Sequence, residues 1–205
     1  MRWIDISQPF HEKTTTWEGD LPFTYTLAFS KEQTGSVNLG RIATSVHTGT
    51  HIDAPFHFDS LGETVEQLDV NEFIGVAQVV HVIDVPVIEP EHLTIDERAQ
   101  FLLLRTTHTA STTAFPKQYT TLSPRLGPFL KEANISLIGV DTPTIDPVDS
   151  KTLDAHHALY ASRVHILENI VLDEVTEGLY DCIALPLRID GADGSPVRAV
   201  IRPIE

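Results

Sequence analysis

The chain carries one cysteine, Cys182, among 205 residues. A lone cysteine excludes an intrachain disulfide and a thiolate-held metal cluster. Long apolar runs are missing as well. No segment approaches the ~18 apolar residues of a membrane span. The N-terminal stretch MRWIDISQPFHEK lacks the apolar core of about 7 residues that a signal peptide needs. A soluble cytoplasmic protein is the expectation. Cationic side chains are scarce: 14 Lys and Arg stand against 29 Asp and Glu, a formal net charge of −15. That balance argues against nucleic acid and anionic membranes as partners. No glycine-rich phosphate loop and no G-x-S-x-G elbow occurs, so neither a nucleotide fold nor a serine nucleophile is indicated.

What is present reads as one globular domain spanning 1–205, with 41% hydrophobic and 21% charged residues. Short runs rich in β-branched residues predict strands at Val76–Val85, Phe101–Arg105, Ile135–Val140, Val164–Leu172 and Cys182–Leu187. Several are apolar throughout, as strands buried on both faces are. Helices are predicted after Thr94, with Glu97 completing a capping box, after Ser123-Pro124, and from Ser150 through SKTLDAHHALYAS. Helix and strand alternate only in the second half. The fold class expected is α/β, a single domain with a mixed or barrel-like sheet and helices.

Ten histidines stand out, and SVHTGTHIDAPFHF at 45–58 holds three of them. His47, His51, Asp53 and His57 fall within eleven residues. On a straight strand His47 and His51 would lie about 13 Å apart, too far to share an ion comfortably. The T-G-T and D-A-P sequences disfavour a helix, so a bend at Gly49 is expected. His51 and Asp53 then share a face, and Pro55 turns the chain so that His57 approaches from another side. Imidazole with carboxylate favours zinc, or manganese or iron, over calcium. Asp141 and Asp146 are accounted for by D-T-P and D-P turns. His156 and His157 are neighbours on a helix, about 100° apart, so only one readily faces a site.

HTGTHIDAPFHF resembles the H-x-G-T-H-x-D-x-P-x-H motif of the metal-dependent cyclase superfamily. W-E-G-D at Trp17–Asp20 resembles the W-P-G-D element of its kynurenine formamidase branch, with Glu18 in place of proline. IGVDTPTIDPVDSKTLDAHHAL, ILENIVLDEV and ALPLRIDGADGSPVRAV extend the likeness over the whole chain. The resemblance implies a swivelling β/β/α fold and two divalent metal ions, zinc foremost and manganese as the alternative. It implies His47, His51 and Asp53 at the first ion, and Asp53, Glu168 and His156 at the second. It further implies His57 as proton carrier, Trp17 as a substrate-contacting aromatic, and a homodimer. The activity implied is hydrolysis of N-formyl-L-kynurenine to L-kynurenine and formate in tryptophan breakdown, through a metal-bound hydroxide. The rivals are isatin hydrolysis and a noncatalytic metal-binding role.

Overall fold

The computed structural model describes residues 2–204. Its strands, in chain order, are β1 (Ile4–Asp5), β2 (Thr24–Phe29), β3 (Leu39–Ala43), β4 (His51–Asp53), β5 (Ile74–His81), β6 (Val87–Ile88), β7 (Phe101–Arg105), β8 (Thr121–Leu122), β9 (Leu137–Val140), β10 (His165–Glu168), β11 (Gly178–Ile183), β12 (Gly194–Pro196) and β13 (Val200–Pro203). Its α-helices are α1 (Lys31–Thr34), α2 (Leu126–Glu132) and α3 (Asp154–Ala161). Nine strands form one curled mixed sheet in the order β1-β13-β11-β5-β7-β9-β10-β4-β12. The centre, β5-β7-β9-β10, is parallel, and the flanking pairs are antiparallel.

The central strands are apolar without alternation because both faces are covered. On β7, Phe101 and Leu103 join one core with Phe73, Leu137 and Leu167. Leu102 and Leu104 point the other way, into a second core with Ile138, Ile166 and the helical residues Leu126, Leu130 and Leu159. The two helices of the second half therefore lie on one face of the sheet. The candidate site residues come from that face and from its β4–β10 border.

Three sequence expectations shift in the folded chain. The helix after Thr94 is absent, and residues 96–99 form a turn. Gln78 explains the loss: its side chain donates to Thr94 O and accepts from Asp96 N, while Asp96 accepts from Arg98 N. Such side-chain bonds compete with helical ones. The helix foreseen from Ser150 begins at Asp154, since Ser150 Oγ accepts from Leu153 N in a preceding turn. The last predicted run is displaced toward the N-terminus, to Gly178–Ile183, where it pairs with β5 and β13.

Cys182 sits in the first core at 1% exposure, and burial pushes its thiol up to about 12. The native protein should therefore resist thiol-specific alkylation at neutral pH and label stoichiometrically in denaturant. Labelling of the native state at the rate of the unfolded chain would contradict this packing.

Candidate metal centre

The centre follows from strand register. β4 and β10 run antiparallel with His51 opposite Glu168 and Asp53 opposite Ile166. Residues paired in this way project to the same side, about 5 Å apart at Cβ. His51, Asp53 and Glu168 therefore converge on the face that also carries α3. His156, on the buried side of α3, completes the group from above. These four residues are 1–4% exposed.

Gly49 makes the bend that brings His47 back. Its φ is +64°, a left-handed conformation suited to glycine, and Phe10 packs where a side chain would begin. His47 Nδ1 then lies 2.9 Å from Asp53 Oδ1, and its ring rests on Gly194, where a Cβ would stand 2.8 Å from Cε1.

Two imidazoles are held with one nitrogen aimed inward. His51 Nδ1–H donates to Gly49 O at 2.8 Å, leaving Nε2 at 3.3 Å from Asp53 and 3.5 Å from Glu168. His156 Nδ1 meets Asp146 Oδ2 at 2.6 Å, leaving Nε2 at 3.6 Å from Asp53 and 3.7 Å from Glu168. An outer partner fixing the far nitrogen is the usual arrangement around a ligating histidine. Asp53 belongs to two sets of potential ligand atoms, His47–His51–Asp53 and Asp53–His156–Glu168, each within 4.8 Å. The donor set, nitrogen and carboxylate oxygen without sulfur, fits a borderline divalent ion.

The buried carboxylates call for positive charge beside them. Burial raises Asp53, but hydrogen bonds from His156, His47 and His51 outweigh it and hold its carboxyl well below the usual range. Glu168 goes the other way: burial, then the charge of Asp53, push it well above its ordinary value. Burial lowers His47 and His156, yet their carboxylate partners, Asp193 and Asp146 first, carry both up to about 10. Protons thus supply the positive charge that a bound ion would bring.

His57 stands at the rim, on a 3-10 turn spanning Pro55–His57, with its ring centroid 4.0 Å from that of His47. Its Nδ1 lies 3.2 Å from Asp193 Oδ2, and the same oxygen is 3.0 Å from His47 Nε2. Burial lowers the His57 pKa against the pull of Asp53, which favours the neutral ring near pH 7. His47, His57 and Asp193 form a third set of potential ligand atoms. Trp17 lines the same cavity of about 310 Å³ and packs on Phe115, ring centroids 4.7 Å apart. His157 is exposed and reaches the edge of Phe58 rather than the centre.

Two aspartates escaped the sequence reading. Asp146, assigned above to a turn, is buried and accepts from Ala155 N and His156 N as well as meeting His156 Nδ1. It caps α3, the task expected of Ser150. Asp193 is 136 positions from His57, so no local spacing could have flagged it. Asp141, also read as a turn residue, is a buried brace that accepts from the amides and hydroxyls of Thr106 and Thr107.

A curled mixed sheet carrying such a buried imidazole–carboxylate centre defines a metal-dependent hydrolytic enzyme. The Cyclase family model matches residues 4–147, and the chain belongs to that family. Among curated relatives, kynurenine formamidase of Bacillus thuringiensis (strain Al Hakam) is 52% identical over 207 residues, covering 98% of each chain. The kynurenine formamidase of Bacillus anthracis is 50% identical over 208 residues, covering 99% of this chain and 98% of its own. A solved structure described as a potential metal-dependent hydrolase with cyclase activity superposes with TM-score 0.83 at 26% identity, over 99% of both chains. Isatin hydrolase A from Labrenzia aggregata shares the fold, with TM-score 0.80 at 23% identity over 98% of this chain and 93% of its own.

The Asp146–His156 pair is buried, so removing one partner strands the other. Asp146→Ala should lower unfolding free energy by about 3 kcal/mol, and Asp146→Asn, which can still accept, by less. Urea denaturation measures both. Equal and negligible losses would show that the pair does not hold α3 in place.

Proposed function

We propose that the protein is a kynurenine formamidase, hydrolysing N-formyl-L-kynurenine to L-kynurenine and formate in the cytoplasm as a step of tryptophan breakdown. The observation that carries this reading is the convergence of two candidate ligand sets on the shared Asp53, beneath a cavity walled by Trp17 and His57. Near full-length identity of about half to the kynurenine formamidases supports the substrate assignment.

In this reading His47, His51 and Asp53 hold one divalent ion, and Asp53, Glu168 and His156 hold a second, with zinc as the metal. When bound, the ions supply Lewis acidity to the formyl oxygen and to the attacking water. The rest falls to the chain. Trp17 stacks on the aryl ring and sets the formyl group over the centre. Asp193 takes the Nδ1 proton of His57 in a hydrogen bond, so Nε2 is the atom that exchanges protons. Water adds to the formyl carbon as His57 accepts its proton. The C–N bond then breaks as His57 returns that proton to the aniline nitrogen, a poor leaving group until protonated.

Chelation should abolish turnover, and zinc or manganese should restore it. His57→Ala should keep its metal yet lose ~10²–10⁴-fold in kcat, the range of a lost general acid–base. The loss should shrink on a formanilide bearing an electron-withdrawing ring substituent, whose nitrogen leaves more easily. Metal analysis and kinetics on the same samples check this. Parallel loss of metal and activity would make His57 a ligand in the set it shares with His47 and Asp193. Turnover of isatin in preference to formylkynurenine would redirect the assignment.

We further propose a homodimer. The β2–β3 hairpin stands apart from the main sheet, and every residue of its two strands is exposed. Tyr25, Leu27 and Phe29 alternate along one strand, with Ile42 opposite Tyr25 and Leu39 opposite Phe29. An isolated two-stranded ribbon is marginal in water, so a second copy covering this apolar face would supply what the hairpin lacks. Sedimentation should give a dimer, and Tyr25→Lys with Ile42→Lys should yield monomer. A wild-type monomer at working concentration would refute the assembly.

A further inference from the structure

The cavity over the centre has walls of unequal character. Pro147, Val148 and Leu153 make one side apolar, and Trp17 offers a ring face. Ser150 adds a hydroxyl. Among the described residues no lysine or arginine lines the cavity, and outside the ligand cluster and His57 the one ionisable side chain lining it is Asp20. Asp20 stands in the turn that carries Trp17: its N–H donates to Trp17 O at 3.1 Å, and its Oδ1 accepts from Leu21 N at 2.7 Å. These bonds tie Oδ1 to the turn and leave Oδ2 of this exposed carboxylate with no hydrogen bond among the described residues. Asp20 makes no ion pair among the described residues.

From this arrangement we infer that Asp20 is the specificity residue for the α-ammonium group of the substrate, and that the substrate's α-carboxylate is left facing solvent. The inference rests on the formamidase reading and extends it to the amino-acid end. A formylated aryl amine with an amino-acid side chain presents one cation and one anion. The wall offers a carboxylate for the first and no cationic side chain for the second. The turn joining Trp17 to Asp20 couples the two recognitions, because the residue that receives the ring fixes where the carboxylate stands. Unsubstituted formanilides use only the aromatic half of this device. Anionic aryl formamides meet Asp20 as a like charge.

Three substrates separate these contributions: N-formylkynurenine with both charges, N-formylkynurenamine with the ammonium alone, and formanilide with neither. Asp20→Asn retains the acceptor for Leu21 N and removes only the charge. It should raise KM about threefold for the two ammonium substrates, as expected for an exposed ion pair, with kcat held, and leave formanilide unchanged. The wild type should process N-formylkynurenamine at least as well as N-formylkynurenine, since loss of the carboxylate removes no contact. An equal loss on all three substrates would make Asp20 a brace for the Trp17 turn and overturn the inference. No change on any would overturn it too. A wild type that is metal-loaded yet inactive on every formanilide would overturn the formamidase reading and this inference with it. Activity with the wrong selectivity overturns the inference alone.

Discussion

Asp53 and Glu168 are two carboxylates placed side by side almost out of reach of water, and the surrounding structure answers to that constraint. Isolated burial of one such ion costs several kcal/mol, and a neighbouring anion adds to it. Three imidazoles meet the demand from the protein side, and two of them are anchored at the far nitrogen by Gly49 O and by Asp146. Anchoring costs the rings freedom before any ion arrives, so less ordering remains when one binds. Asp53 stays ionised while Glu168 is pushed toward its protonated form. The split shows that the two carboxyls do not both ionise readily here without positive charge close by.

The sheet makes the arrangement possible. β4 enters antiparallel to β10 at the border of a parallel core, and its side-chain alternation sends His51 and Asp53 to the helical face while Ile52 goes to the opposite core. A slip of one residue would bury His51 and Asp53 among Phe73, Phe101 and Leu167, a position no carboxylate tolerates unpaired. Register is thus enforced by charge as well as by apolar packing. β12 closes the outer edge of β4, and its glycine lets the His47 ring lie against the strand. One helix, capped by the aspartate that also orients His156, delivers the last imidazole.

Sequence legibility divides along contact distance. Phe101–Arg105 is readable to the residue because a run buried on both faces has no polar interruption. The bend at Gly49 and the shared face of His51 and Asp53 follow from local chemistry within five residues. Glu168 stands out as a charge in an apolar strand, and the family motif supplies its partners. His156 over His157 rests on resemblance alone, since helix geometry leaves the pair equivalent until the sheet decides which side is inside. Asp146 and Asp193 lie beyond such reasoning. Their partners are ten and 136 positions away, and each sits in a turn sequence that explains an aspartate without function. The missing helix after Thr94 fails for a related reason, because its competitor is Gln78, on another strand.

The distribution of fixed positive charge completes the physical picture. The ion pairs formed by arginine are peripheral: Arg198 with Asp5, Arg202 with Asp181, Arg98 with Asp96, and Arg125 with Glu89 and Glu91. Each of these arginines keeps substantial exposure, so the pairs contribute little to stability and leave the interior untouched. An arginine at the centre would satisfy Asp53 and Glu168 permanently, with a guanidinium that cannot give up its charge. Histidine does the opposite. It can carry the proton while the centre lacks an ion and release it when a ligand position is needed. The scarcity of Lys and Arg in the composition is therefore more than a solubility trait. Inside the cavity their absence keeps the buried carboxylates available, and at the rim it leaves Asp20 free to select charge in what enters.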